Sequence, residues 1–353
     1  MRKIHIAYLA CTAALIGSGM GAAPSAAQHT VHVVLPGQSI QKAVDTAAPG
    51  DTVQLMAGTY HESVRVSTPG LTLRGLGTST VIRPDTATAA THSCAEDGNG
   101  ICVVGTEDRD VEDVTVASLT VTGFTRTGLF AAATDRLTVR NVTAVGNGVW
   151  GIAQEHSVRG VFRGNTVRDN GDAGLFLANS VKTEEGATDT QGTVVAHNRM
   201  EGNRIGVTVR RLRNLTVADN HIAGNCAGVF VVGDENTPKA GALTVNGNHV
   251  VANNKSCPKT ERLEGLQGSG IVVTGAEDTL VARNVVRDNV GGSSLSGGIV
   301  LFKSFVGTAN ERIRVSDNVL RGNSPADLVN TDTGQTNTFE NNRCAASKPA
   351  GLC

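Results

Sequence analysis

The 353-residue chain is 40% hydrophobic, 18% charged and only 3% aromatic, with 42 Gly and a formal net charge of −1. That balance excludes an intrinsically disordered chain and a strongly basic nucleic-acid surface. Gly, Asn, Thr and Val prevail where a helical bundle needs Leu, Glu and Lys, which points to one long all-β domain.

The first segment reads as an export signal. Met1-Arg2-Lys3 is a short positive start, Ile4 to Ala23 is mostly apolar, and Ser25-Ala26-Ala27 offers a small-x-small cleavage pattern before Gln28. His5, Tyr8 and Thr12 interrupt the apolar run, and Tyr8-Leu9-Ala10 makes a poor, early lipobox for Cys11. Residues 1–27 are therefore expected to be a signal peptide and 28–353 a single secreted domain with no membrane span. Removing 1–27 takes away two basic residues and no acid, for a net charge of −3. Six cysteines remain, an even number that suits disulfides in an exported chain, and their grouping favours Cys94–Cys102, Cys226–Cys257 and Cys344–Cys353.

Ser39 is placed to cap a short amphipathic helix, Ile40-Gln41-Lys42-Ala43-Val44, ahead of the turn Ala48-Pro49-Gly50-Asp51. Strands are expected around 52–55, 63–66, 71–73 and 81–82. From there an internal repeat takes over. Asn-x-apolar-x-x-Asn occurs at Asn165/Asn170, Asn198/Asn203, Asn220/Asn225, Asn248/Asn253, Asn284/Asn289 and Asn318/Asn323, with a looser copy ending at Asn147. Alternating strands such as Leu215-Thr216-Val217 precede most copies. Gly128, Gly151, Gly174, Gly206, Gly228, Gly270 and Gly298 open further strands at spacings of 23, 23, 32, 22, 42 and 28. A period of 22–23 built from short strands and Asn/Gly corners is a parallel β-solenoid, in which stacking buries the apolar face that one coil cannot bury alone. Asn suits the corners because it tolerates left-handed backbone, and stacked Asn side chains bond along the axis.

Ser39-Ile40-Gln41-Lys42-Ala43, Gly50-Asp51-Thr52-Val53 and Ala57-Gly58-Thr59-Tyr60-His61-Glu62 together resemble the opening of right-handed parallel β-helix proteins of the pectate-lyase-like superfamily. The Asn coils are similar to the β-helix repeats of many exported bacterial proteins, so the resemblance covers essentially the whole mature chain. It implies an all-β, right-handed parallel β-helix solenoid with one chain winding through every coil and a short N-terminal capping helix. It implies no named activity, because the superfamily holds lyases, hydrolases, epimerases, esterases and adhesins. The Asp-Asp plus Gly-His-Gly set of polygalacturonase-like hydrolases, an Asp-Pro-His epimerase motif and the pectate-lyase arginine signature are all missing.

Alternation along the Gly-initiated strand fixes what faces outward. The first outward column is Phe130, Ala153, Phe176, Thr208, Phe230, Val272 and Val300; the second is Ala132, Glu155, Ala178, Arg210, Val232, Thr274 and Phe302. Insertions at 180–191, 233–241 and 304–310 follow this strand, and 254–269 and 290–297 precede it, so longer loops border one sheet as a groove. Within it, Glu155 and His156 are candidate acid or base groups, and Arg210 and Arg211 candidate carboxylate holders. Phe176, Phe230, Asp234, Glu235, Phe302 and Lys303 are candidate substrate contacts. The Phe residues either stack on sugar rings or lie under the loops as a satellite core.

His61, His197, His221 and His249 read as single corner histidines, and the run from Glu107 to Asp113 as an acidic turn; no metal ligand set or cofactor is indicated. The functional expectation is an exported carbohydrate-active protein, a polysaccharide lyase or glycoside hydrolase. The alternatives are a non-catalytic glycan-binding or scaffold protein and a metal-handling β-helix. The expected partner is an extracellular polysaccharide, met by a monomer, with no nucleic acid.

Overall fold

The computed structural model describes residues 29–85, 92–106, 108–261 and 263–353. The expected signal segment, 1–27, lies outside the described residues, and so does Glu107. Among the described residues no helix is long and apolar enough to cross a membrane.

Three long parallel sheets run the length of the molecule. Sheet A has twelve strands, from Val31–Val34 to Thr338–Glu340; sheet B has ten, from Gly58–His61 to Val319–Arg321; sheet C has eleven, from Val64–Val66 to Ser347–Lys348. One rung supplies a strand to each sheet, as Leu212–Ala218, His221–Ala223 and Ala227–Val232 do in the middle of the stack. Each strand then pairs with its equivalent one rung on, at the roughly 4.8 Å interval of neighbouring strands. Inward side chains thereby pile up as like upon like. Leu175, Val207, Val229, Ile271 and Ile299 form one fully buried column in exact succession of rungs.

The chain ends are closed differently. Helix α1, Ile40–Thr46, is longer than its sequence signal and is capped by Ser39, whose Oγ accepts from Lys42 N at 3.1 Å. It buries Ile40 and Val44 over the first rung, which would otherwise expose its apolar lumen. The expected early strands are present with shifts of a residue or two, and Val31–Val34 and Gly58–His61 are additional. Disulfides Cys94–Cys102, Cys226–Cys257 and Cys344–Cys353 join the pairs that the grouping favoured.

Near this first rung, buried Asp51 accepts from His32 Nε2 at 2.9 Å, Thr30 N at 2.7 Å and Ala48 N at 2.9 Å. The His32 bond, then the two backbone donors, hold its carboxyl at about 2 against an ordinary 3.8. A carboxyl depressed by folding stabilises the fold above its unfolded pKa and loses that contribution as pH falls through its folded one. Asp51→Asn should therefore lower the melting temperature at neutral pH and flatten its decline between pH 3.8 and about 2. Parallel pH–melting curves for the variant and the parent protein would contradict this.

The asparagines stack through their side chains as expected, but they do not take the left-handed corner. The left-handed corner is taken by the residue before each ladder Asn: Asp219 at φ 54° precedes Asn220, and Gly224 at φ 65° precedes Asn225. The Asn side chain instead turns inward. One ladder runs Asn165, Asn198, Asn220, Asn248, Asn284, Asn318 and Asn342, each Nδ2 donating to the next Oδ1 at 2.9–3.0 Å. A second runs from Asn147 to Asn323 through Asn170, Asn203, Asn225, Asn253 and Asn289, and ends on Asp327 Oδ1.

Candidate functional site

Register places both outward columns of sheet C as alternation requires. Phe130, Ala153, Phe176, Thr208 and Phe230 are successive partners, as are Ala132, Glu155, Ala178, Arg210 and Val232. The named groups thus share one face. They do not share one environment.

The C-terminal half of this face is roofed. Phe230 is 3% exposed and Val272 and Val300 are fully buried, in an apolar cluster with Leu266, Leu295 and the Cys226–Cys257 pair. Of the two readings left open for the Phe row, the satellite core holds at Phe230 and, at 9% exposure, at Phe176. The physical reason is the insertion at 254–268: Cys226–Cys257 ties it down, and buried Arg204 donates to Pro258 O and Glu264 O. Phe302 is half-buried against exposed Phe305, with ring centroids 5.2 Å apart, and Lys303 is exposed.

The polar residues in the middle also have structural duties. Glu155 Oε2 accepts from Val181 N at 2.8 Å, and Arg210 Nη1 donates to Ser180 O at 2.9 Å. Arg211 is buried; it donates to Thr183 O at 3.1 Å, pairs with Glu184 at 3.3 Å and bonds Asp234. Asp234 also accepts from Asn236 N and Nδ2, while Glu235 is exposed. These groups converge on the 180–187 loop and hold it in place. His156, at φ 45° in the corner after Glu155, is exposed.

The N-terminal half is open, and here the structure adds residues that sequence reading passed over. Phe130 and Ala132 are partly exposed. Beside them Trp150 stacks on Phe176, with centroids 4.5 Å apart and planes 14° from parallel. Arg126 sits 5.9 Å from the indole centroid, and Trp150 Nε1 donates to Asp172 Oδ2 at 3.3 Å. Phe130, Trp150 and Phe176 occupy three consecutive rungs of a chain with one Trp, two Tyr and eight Phe. Ala153, small and between two Phe in its column, leaves the space that the indole fills. The available signal was Trp150 itself, the chain's single tryptophan, at the start of a sheet C strand.

Beyond Ala132 the face continues into a cavity of about 400 Å³ lined by Arg65, Val104, Thr106, Arg109 and Asp110, among others. Burial, then the Asp135 and Glu112 carboxylates, push the Asp110 carboxyl above the ordinary range, while Arg159 opposes them. A carboxyl so displaced in a cleft is a candidate proton donor. Two other acids of the run are paired, Arg136 bridging Glu112 and Asp113 at 2.8 and 2.6 Å. A larger cavity, about 940 Å³, lies beside α1, but its carboxylate Glu62 accepts from Ser39 Oγ and from the amides that open the helix. Among the described residues no three His, Cys, Asp or Glu side chains converge as a metal site.

Comparison with known proteins bears on the fold. A family model described as "Right handed beta helix region" matches residues 88–257. No curated protein sequence matches the chain. Among solved structures, the chain is similar to the A-module of the Azotobacter vinelandii mannuronan C-5 epimerase AlgE4, at 19% identity and a TM-score of 0.58, covering 88% of this chain and 91% of that one. It is similar to an alginate lyase from Paenibacillus sp. at 13% identity and a TM-score of 0.56, covering 90% and 99%. It is also similar to the DFA-IIIase of Arthrobacter chlorophenolicus at 14% identity and a TM-score of 0.54, covering 86% and 79%. With its parallel sheets, stacked rungs and helical cap, the chain folds as a right-handed parallel β-helix.

Proposed function

We propose that this protein is an exported, monomeric, carbohydrate-active β-helix that takes an acidic polysaccharide along the open part of sheet C, from the Arg65–Arg109 cavity past Phe130 to His156 and Arg210. One observation carries the reading: partly exposed Phe130, backed by the buried Trp150–Phe176 stack, is flanked by cations on the face the long loops border. Aromatic faces suit the apolar faces of pyranose rings, and arginines suit carboxylates. The solved structures it resembles are named for a mannuronan epimerase, an alginate lyase and a DFA-IIIase, which agrees with a saccharide ligand.

In the catalytic form of this reading the reaction is β-elimination at a uronate. Arg210 neutralises the carboxylate, and His156 or Glu155 removes the proton beside it. The bond from the β-carbon to the glycosidic oxygen breaks as the C=C bond forms. Asp110, whose carboxyl burial and the neighbouring carboxylates push above its ordinary range, is the candidate acid for a chain bound across the cavity. A second reading, glycan binding without turnover, draws support from Glu155 and Arg210 already holding the 180–187 loop.

Plant, algal and bacterial glycans should be screened for binding and for unsaturated or reducing-end products together. The lyase reading expects unsaturated uronate from an acidic glycan, falling about 100-fold or more in His156→Ala and Arg210→Ala. Binding without product selects the second reading, and the absence of binding to every acidic glycan overturns both.

A further inference from the structure

We propose that His221 and His249 form a binding site for a borderline divalent cation, Zn²⁺ or Cu²⁺, on the outward face of sheet B, remote from the saccharide face. They lie 28 residues apart in sequence and read there as unrelated corner residues. The fold pairs them directly. His221 opens the strand His221–Ala223, His249 opens His249–Val251, and the two are register partners on adjacent rungs.

Their rings stack with centroids 5.4 Å apart and planes 29° from parallel, bringing the two Nδ1 atoms to 3.3 Å. At that distance a direct N–H···N bond would be a long one. Two nitrogens on one tetrahedral ion, each about 2.0–2.1 Å from the metal, stand about 3.4 Å apart. The observed spacing therefore lets one ion take the place of a shared proton with little movement of either ring. Imidazole is also the donor that suits Zn²⁺ and Cu²⁺.

The far nitrogen of His221 faces a carboxylate. Glu201 Oε1 is 3.7 Å from His221 Nε2 and is held by Arg199 at 2.6 Å. A carboxylate this close favours a proton on the outer nitrogen, the tautomer that leaves Nδ1 free to ligate, and carboxylates commonly stand behind metal-binding histidines. Both rings are partly exposed, so an ion reaches them without opening the fold. With two protein donors and the remaining positions filled by water, the site is of the exchangeable kind.

The test uses the tag-free mature protein, stripped with a chelator and titrated with ZnSO₄ by calorimetry. One Zn²⁺ per chain is expected, with the ring ¹⁵N signals of His221 and His249 shifting together. His221→Gln and His249→Gln should each weaken binding by about tenfold or more. His197→Gln, at an exposed corner, should leave it unchanged. Because both rings are at the surface, the variants should melt with the parent protein when metal is absent. Zn²⁺ affinity in the double variant within about threefold of the parent, or no Zn²⁺ bound at all, overturns the proposal.

Discussion

Asn220→Ala should destabilise the protein by about 3–4 kcal/mol, one of the largest effects open to a single polar side chain. Its Oδ1 accepts from Asn198 N at 2.9 Å and from Asn198 Nδ2 at 3.0 Å, and its Nδ2 donates to Val195 O and Asn248 Oδ1, both at 2.9 Å. Alanine removes four bonds at once, although Asn198 Nδ2 keeps Phe162 O and Asn248 Oδ1 keeps the Asn220 backbone N–H. Each unsatisfied group costs about 1–3 kcal/mol, partly relieved if water enters the space. Asn220→Asp should be at least as damaging, since a carboxylate brings charge and no donor. The neighbouring Asp219, which takes the left-handed corner, should accept asparagine within about 0.5 kcal/mol. Urea titrations of the three variants decide the matter, and a loss below about 1 kcal/mol for Asn220→Ala would remove the ladder from the account.

Phe230→Ala should cost about 3–4 kcal/mol, because it leaves a ring-sized void where Phe230 is packed with the Cys226–Cys257 pair, Leu266 and Val272. The same substitution should leave saccharide affinity little changed. A groove-floor residue predicts the reverse: affinity lost and stability kept. Phe130→Ala, at the open end of the same column, should show that reversed pattern. Denaturation midpoints and glycan affinities measured on both variants separate the roofed and open halves of the face.

The repeat made the architecture legible because a solenoid is a local rule applied many times. Once Gly128, Gly151 and Gly174 are superposed, period-two alternation assigns Phe176, Phe230, Glu155 and Arg210 to one face, and the register agrees. Sequence could not show what lies above that face. Whether 254–268 stands up as a groove wall or folds down as a roof depends on Cys226–Cys257 and on Arg204 reaching Pro258 and Glu264 across more than fifty residues. Likewise, Arg211 looked like a substrate clamp because its partners Asp234, Glu184 and Thr183 come from two separate insertions. The pairing of His221 with His249 was legible in the repeat, since each follows the first Asn of its copy, and was passed over. The side-chain ladder of Asn was legible in the repeat; what sequence misplaced was the left-handed corner, which falls to the residue before each ladder Asn.

The chain's one tryptophan lies inside the proposed saccharide site, which makes its emission the most direct measurement available. Trp150 touches Phe176, is approached by Arg126 and donates to Asp172, so a sugar acid settling on this platform must alter its surroundings. Titration with an acidic oligosaccharide should shift or quench Trp150 fluorescence along the binding isotherm found by calorimetry. Arg126→Ala and Phe130→Ala should weaken both signals together. Calorimetric binding that leaves Trp150 emission unchanged and is indifferent to both substitutions would place the ligand elsewhere on the helix.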